Sequence, residues 1–204
     1  MKKTKIAVFV SGGGTNLQAL INAQAAGKLH SGEIVLVLAS NPNAYALERA
    51  KKAGIPGVVC SRKQLGDQET FEAAISAQLK EHEIELIVLA GFMSILSEAF
   101  TKQWPERIIN IHPSLIPSFC GKGYFGLKVH EQALAYGVKV TGATVHFVNE
   151  IPDGGKIIAQ KAVEVMEGDT PEVLQKRVME RAEWILLPQA VQQVSEKIAK
   201  EKEL

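Results

Sequence analysis

Three short stretches of this 204-residue chain hold the residue types that acyl and phosphate chemistry need. In the first, Asn110 and His112 flank Ile111 at the end of an apolar run. Side chains two apart share one face of a strand, and Pro113 ends the ladder behind them. In the second, Asp153 lies in the turn Pro152-Asp153-Gly154-Gly155, where backbone N–H groups can hold an inward-facing carboxylate. Amide, imidazole and carboxylate together suit an amine attacking an acyl carbon: a donor steadies the oxyanion and an acid/base relays the proton. No serine or cysteine stands in a recognisable nucleophile setting, and Cys120 has no base beside it in sequence. Direct attack by the substrate amine is therefore expected, with no covalent enzyme intermediate. Taken singly, a strand-end histidine is more often a bonded structural residue, and Asp-Gly-Gly is a common turn.

The third stretch is Ser11-Gly12-Gly13-Gly14-Thr15-Asn16, set between an apolar run and a helical pattern. Such a loop turns successive N–H groups and the positive end of a helix toward an anion. A dinucleotide fingerprint fails, because Leu17 stands at the third glycine position and the second run ends Ala39-Ser40-Asn41 without an acid. No Gly-Lys-Ser/Thr follows, so it is not a nucleoside-triphosphate loop. Three glycines exceed what a turn needs, which favours a monophosphate over an empty turn.

The elements that must position these stretches alternate between β-branched runs and helical patterns, the pattern of an α/β domain with a mainly parallel sheet. Strands are expected at Ile6–Val10, Ile34–Ala39, Gly57–Cys60, Leu86–Leu89 and Arg107–Ile111, with a strand pair at Val140–Val148 and Lys156–Val165. Helices are expected at Asn16–Ala26, Ala46–Ala53, Gln68–His82 and Leu127–Tyr136, and a last one opens at Thr170-Pro171-Glu172. In such sheets the ligand crevice lies beyond the carboxyl ends of the strands, which brings Asn110, His112 and Met93 to its floor. Pro117 to Gly126 suits a mobile loop, and the charged tail from Glu196 to Leu204 is expected to fray. His146 is expected to support the Asp153 turn, whereas His30, His82 and His130 fall in polar surroundings without a role. No repeat or linker divides residues 1–204, so one domain is expected.

Composition narrows the function classes. With 46% hydrophobic and 22% charged residues the chain is neither disordered nor fibrous, and a net charge of +1 offers no broad grip on nucleic acid. Cys60 and Cys120 lie far apart, which argues against a disulfide framework and a zinc site; no metal is expected. The basic start Met1–Lys5 is followed by an apolar run too short for a signal peptide or a bilayer span, so a cytoplasmic protein without a membrane partner is expected.

Five strings occur in one order: Ser11 to Leu17, Leu89-Ala-Gly-Phe-Met93, Asn110-Ile-His-Pro-Ser-Leu-Ile-Pro117, Thr144-Val-His-Phe-Val148 and Asp153-Gly-Gly155. In this the chain resembles the phosphoribosylglycinamide formyltransferase family of folate-dependent enzymes, from about Lys5 to Val194. The resemblance implies a single Rossmann-like formyltransferase domain, with 10-formyltetrahydrofolate as donor and glycinamide ribonucleotide as acceptor in purine biosynthesis. It implies that Asn110 and His112 meet the formyl oxygen while Asp153 relays protons through water. Gly13, Gly14, Thr15 and Asn16 match the stretch that cradles the ribonucleotide phosphate, and Glu183 matches an acid for the ribose hydroxyls, at a spacing one residue longer. Met93, Ser94, Ile95, Leu96, Asn110, Val148, Asn149, Glu150, Pro152 and Asp153 match the folate pocket, with Gln68 and His146 as further candidates. Ser94 and Gln68 stand where relatives often carry arginine, a departure that weakens the hold on an anionic folate tail. The segment Phe119 to Gly126 is longer than in the shortest relatives and suits a lid. Two related chemistries share the trio: methionyl-tRNA formyltransferase normally adds a tRNA-binding domain, and formyltetrahydrofolate deformylase an N-terminal regulatory one. A non-catalytic nucleotide-binding module would lack part of the trio. Monomer and homodimer both remain open, as does whether closure of the site raises the pKa of Asp153.

Overall fold

The apolar runs assemble into one seven-stranded sheet in the order β3-β2-β1-β4-β5-β6-β7. The structure, a computed structural model, describes residues 2–203. Strands β1 (Thr4–Val10), β2 (Gly32–Ala39), β3 (Gly57–Val59), β4 (Leu86–Leu89) and β5 (Ile108–His112) run parallel. Strands β6 (Val140–Phe147) and β7 (Ile157–Glu164) are added antiparallel at one edge. The helices are α1 (Thr15–Ala25), α2 (Ala46–Lys52), α3 (Arg62–Leu65), α4 (Gln68–Glu81), α5 (Glu98–Lys102), α6 (Leu127–Tyr136), α7 (Pro171–Val178) and α8 (Trp184–Glu201). This is the α/β architecture expected from the alternating pattern, with every expected strand and helix present within a few residues of its bounds.

Alternation along each parallel strand feeds two cores, one on each face of the sheet. Ile6, Val8 and Val10 pack with Leu17, Leu20, Leu187 and Val191 of α1 and α8. Ala7 and Phe9 pack with Phe71, Ile75 and Leu79 of α4 and with Phe100. Strands buried on both faces read as continuous apolar runs, which is why they were legible. From β1 the chain winds outward through β2 and β3, then crosses back to β4 and β5. The direction of winding therefore reverses between β1 and β4, and in sheets of this kind the ligand crevice lies at that point, beyond the strands' carboxyl ends.

The short helices α3 and α5 were not expected, and two features near the C-terminus also depart from the sequence expectation. The last helical segment is interrupted by a π-helical turn, Met179–Glu183, between α7 and α8. Thr170 caps α7 by accepting from Val173 N, with Pro171 in the first turn as expected. The second departure is the tail: α8 continues to Glu201, with Ile198 in the core and Ala199 buried, where fraying from Glu196 was expected. Its charges occupy one helix face, while the apolar residues among them hold the other to the sheet.

Candidate active site

β5 ends with Ile109 and Ile111 facing one core, so Asn110 and His112 point to the opposite face. The antiparallel register of β5 and β6 sets His146 directly opposite Asn110 and Thr144 opposite His112. Thr144 is buried and pins the Pro113–Pro117 turn: its hydroxyl donates to Ser114 O at 2.7 Å and accepts from Ile116 N at 3.1 Å.

The loop after β6 delivers the carboxylate. Asn149 Oδ1 accepts from Ile151 N, Ile151 O accepts from Gly154 N, and Asp153 takes a left-handed conformation with φ 56°. Gly155 lies so close to β6 that a Cβ there would stand 1.7 Å from Phe147 O. That contact excludes any larger residue and fixes where the turn leaves the sheet.

Asp153 thus reaches the β5–β6 face. Asn110 Nδ2 donates to Asp153 Oδ1 at 3.4 Å and to His146 Nε2 at 3.2 Å. His112 Nδ1 lies 3.5 Å from Asp153 Oδ2, and His146 Nε2 lies 3.6 Å from Oδ1. Gly121 N, from the lid expected at Phe119 to Gly126, donates to Asp153 Oδ2 at 2.8 Å. The expected trio is therefore brought together, and His146 joins it as a fourth member.

Both histidines spend one nitrogen on a backbone carbonyl: His112 Nε2 on Phe119 O and His146 Nδ1 on Phe147 O, each at 2.8 Å. A carbonyl only accepts, so those nitrogens carry the protons of the neutral rings. The nitrogen that each ring turns toward Asp153 is then protonated only in the imidazolium form. Burial pushes the His112 pKa below the ordinary histidine value, and the Asp153 charge and the Phe119 carbonyl do not offset it. Burial pushes the Asp153 carboxyl up, but the His146 contact, the charge of His112 and the Gly121 N–H outweigh it. The group is held below the ordinary aspartate range, so the site pairs a carboxylate with a neutral imidazole at neutral pH. Burial also raises the Cys120 thiol pKa, followed by the charge of Asp153, and its sulfur donates to Pro117 O, a setting unsuited to a thiolate nucleophile.

The glycine loop leaves β1 across the crevice. Gly14 caps α1 in a left-handed conformation, φ 70°, and a Cβ there would meet Ala46 Cβ at 2.6 Å. At Gly12 and Gly13 a Cβ would meet nothing within 4 Å. The fold itself demands only the third glycine; the other two keep open the space in front of the helix terminus. Arg49 Nε holds Gly13 O at 2.8 Å from below.

The π turn brings two residues onto this loop. Asn16 Nδ2 donates to Glu183 Oε2 at 2.6 Å, and Thr15 Oγ1 donates to Met179 Sδ at 3.9 Å. The π turn ends at Glu183 and so sets the side on which its carboxylate emerges. Glu183 is only 6% exposed, and burial raises its pKa although the Asn16 bond opposes this. Asn16 Oδ1 is buried without a partner.

The residues expected around a folate separate into two groups. Met93 and Ile95 stand 58% and 72% exposed on the loop after β4, Ser94 lies between them, and Leu96 turns into the core. Val148, Asn149 and Glu150 line a hollow of about 230 Å³ with Lys102 and Lys156, and Pro152 is exposed nearby on the Asp153 turn. Gln68 is half-buried beside the Met93 loop: its amide donates to Ile95 O at 3.0 Å and to Glu72 Oε1 at 2.6 Å. His130, expected in polar surroundings, is fully buried on α6 with neither ring nitrogen bonded. A groove of about 740 Å³ between α1 and α8, lined by Thr15, Arg49 and Trp184, was not foreseen and touches none of the trio.

Among the described residues no group of His, Cys, Asp and Glu is arranged to hold a metal ion, and no helix is long and apolar enough to cross a membrane.

Comparison with known proteins shows the family and the fold. The formyl transferase family model matches residues 4–191. A glycinamide ribonucleotide transformylase structure from Symbiobacterium toebii superposes with a TM-score of 0.89 at 38% identity, covering 96% of this chain and 89% of that one. A phosphoribosylglycinamide formyltransferase structure from Brucella melitensis gives 0.87 at 43% identity, covering 95% and 96%. The chicken trifunctional purine biosynthetic protein adenosine-3 is 48% identical over 193 residues, 95% of this chain but only 18% of that protein's length. The chain belongs to the formyl transferase family, alongside the phosphoribosylglycinamide formyltransferases.

Proposed function

We propose that this chain moves the formyl group of 10-formyltetrahydrofolate to the amine of glycinamide ribonucleotide, in purine biosynthesis. The observation that carries the reading is the convergence of Asn110, His112 and His146 on a single carboxylate, Asp153, presented by a left-handed turn. The substrate amine attacks the formyl carbon, a C–N bond forms, and the carbonyl electrons move onto oxygen. Asn110 turns its long 3.4 Å bond away from Asp153 to meet that oxyanion, its amide orientation kept by His146. His112 donates to the same oxygen, which takes the acceptor place that Phe119 O fills in the free protein. Asp153, ionised at neutral pH, accepts the amine proton through a water. Collapse breaks the bond to the folate nitrogen, which leaves as the amine by taking the proton that Asp153 and its water received.

The open space over Gly12 and Gly13, facing the positive end of α1, suits the ribonucleotide phosphate, with Thr15 as an added donor. Glu183 and the unpartnered Asn16 Oδ1 suit the ribose hydroxyls. The exposed Met93 and Ile95 supply an apolar wall for the donor. Incubation with a formyl-labelled donor tests the reading: label recovered in the amide of the ribonucleotide supports it, and label recovered only in free formate refutes it.

A further inference from the structure

We propose that the Ser11 hydroxyl couples the two substrate sites, so that occupation of one strengthens binding at the other. The inference rests on the function proposed above, but it concerns a side chain whose hydrogen bonds are made to Met93 and Ser40 and to which that reading gives no substrate contact. Ser11 opens the glycine loop at the end of β1, on one side of the crevice where the winding reverses. Its Oγ accepts from Met93 N at 2.8 Å and lies 2.6 Å from Ser40 Oγ, just past the end of β2. With one hydroxyl proton to give, Ser11 can donate to Ser40 while accepting from Met93. One side chain therefore ties the phosphate loop to the loop that carries Met93 and Ile95.

The other end of the Met93 loop is held elsewhere. The Glu72 carboxylate accepts from Ser97 N, Ser97 Oγ and Gln68 Nε2, each at 2.6 Å, and Gln68 also binds Ile95 O. That anchor runs back into α4, away from the glycine loop. Ser11 is the tether that runs toward the other substrate.

The sign of the coupling follows from solvent. In the free protein the Met93–Ser11 bond lies near the surface, where water competes with it. A ligand on either flank excludes that water, strengthens the bond and fixes both loops, so the second ligand meets a loop already in place. One neutral hydrogen bond can carry a coupling of about two- to tenfold in affinity.

The test is calorimetry of glycinamide ribonucleotide binding with and without saturating tetrahydrofolate, which lacks the formyl group and cannot react. For the native chain, tetrahydrofolate is expected to tighten ribonucleotide binding several-fold, and the ribonucleotide to tighten tetrahydrofolate equally. In Ser11→Ala both single-ligand affinities are expected to stay within about twofold while the mutual tightening falls toward one. Ser40→Ala, which leaves the Met93–Ser11 bond in place, is expected to keep most of it. Unchanged coupling in Ser11→Ala overturns the proposal, as does independent binding in the native chain or the same loss in both variants. If the native chain bound neither ligand, the proposed function would fail with it, an outcome plainly distinct from binding without coupling.

Discussion

Acid should weaken this fold through His130, and replacing that residue should remove a measurable part of the weakness. Its ring is fully buried with both nitrogens unbonded, and burial, followed by the charge of His112, pushes its pKa down to about 4. In the unfolded chain the value returns to about 6.5, so between the two values the unfolded state binds a proton that the folded state refuses. Stability then rises with pH: the contribution is fully present above about pH 6.5 and is lost as pH falls toward 4. The gap is worth roughly 3 kcal/mol, most of it gone by about pH 4.5. Methionine has similar volume and does not titrate, so His130→Met should lose about 3 kcal/mol less than the native chain between pH 7.5 and pH 4.5. Urea unfolding at the two pH values reads this directly. With a slope of about 2–3 kcal/mol per molar, the native midpoint should fall by about 1 M more than that of the variant. Equal losses in the two proteins would refute the reasoning, whatever the variant's stability at neutral pH.

Three further outcomes follow from the site. Asp153→Asn should nearly abolish formyl transfer while circular dichroism and the urea midpoint at neutral pH stay close to native; activity near the native level would remove the carboxylate from proton transfer. His112→Ala should lower kcat by on the order of 10²–10³, the range for one oxyanion donor, and a change confined to KM would reduce His112 to a binding residue. Gly13→Ala should leave thermal stability unchanged, because its Cβ meets no neighbour, yet raise the KM for glycinamide ribonucleotide at least several-fold. An unaffected KM would place the phosphate elsewhere.

Local signals were legible in the sequence and paired ones were not. Leu86–Leu89 and Leu127–Tyr136 fall where apolar periodicity sets them, because strand and helix periods are properties of consecutive residues. The shared face of Asn110 and His112 follows from the same alternation. His146 was expected beside the Asp153 turn, but its place opposite Asn110 comes from the β5–β6 register, a long-range pairing that no local pattern reports. Two alternating strings, Asn110-Ile111-His112 and Thr144-Val145-His146, give the pairing only once the strands are set antiparallel. The π turn was not legible, because a bulge changes the course of a helix without changing its composition. His130 was misplaced by its polar neighbours Lys128 and Glu131, although Val129 and Ala133 mark the buried side of α6 and the ring lies on it. Gln68 and Glu72 reveal their hold on Ile95 and Ser97 only once α4 packs beside the loop.

The most direct test of the central claim is mass spectrometry of the purified protein with 10-formyltetrahydrofolate, in the presence and absence of glycinamide ribonucleotide. Formylated ribonucleotide should appear only with both substrates present, with tetrahydrofolate released in equal amount. Release of formate without a formylated product, or no turnover of either substrate, would contradict the proposed transfer.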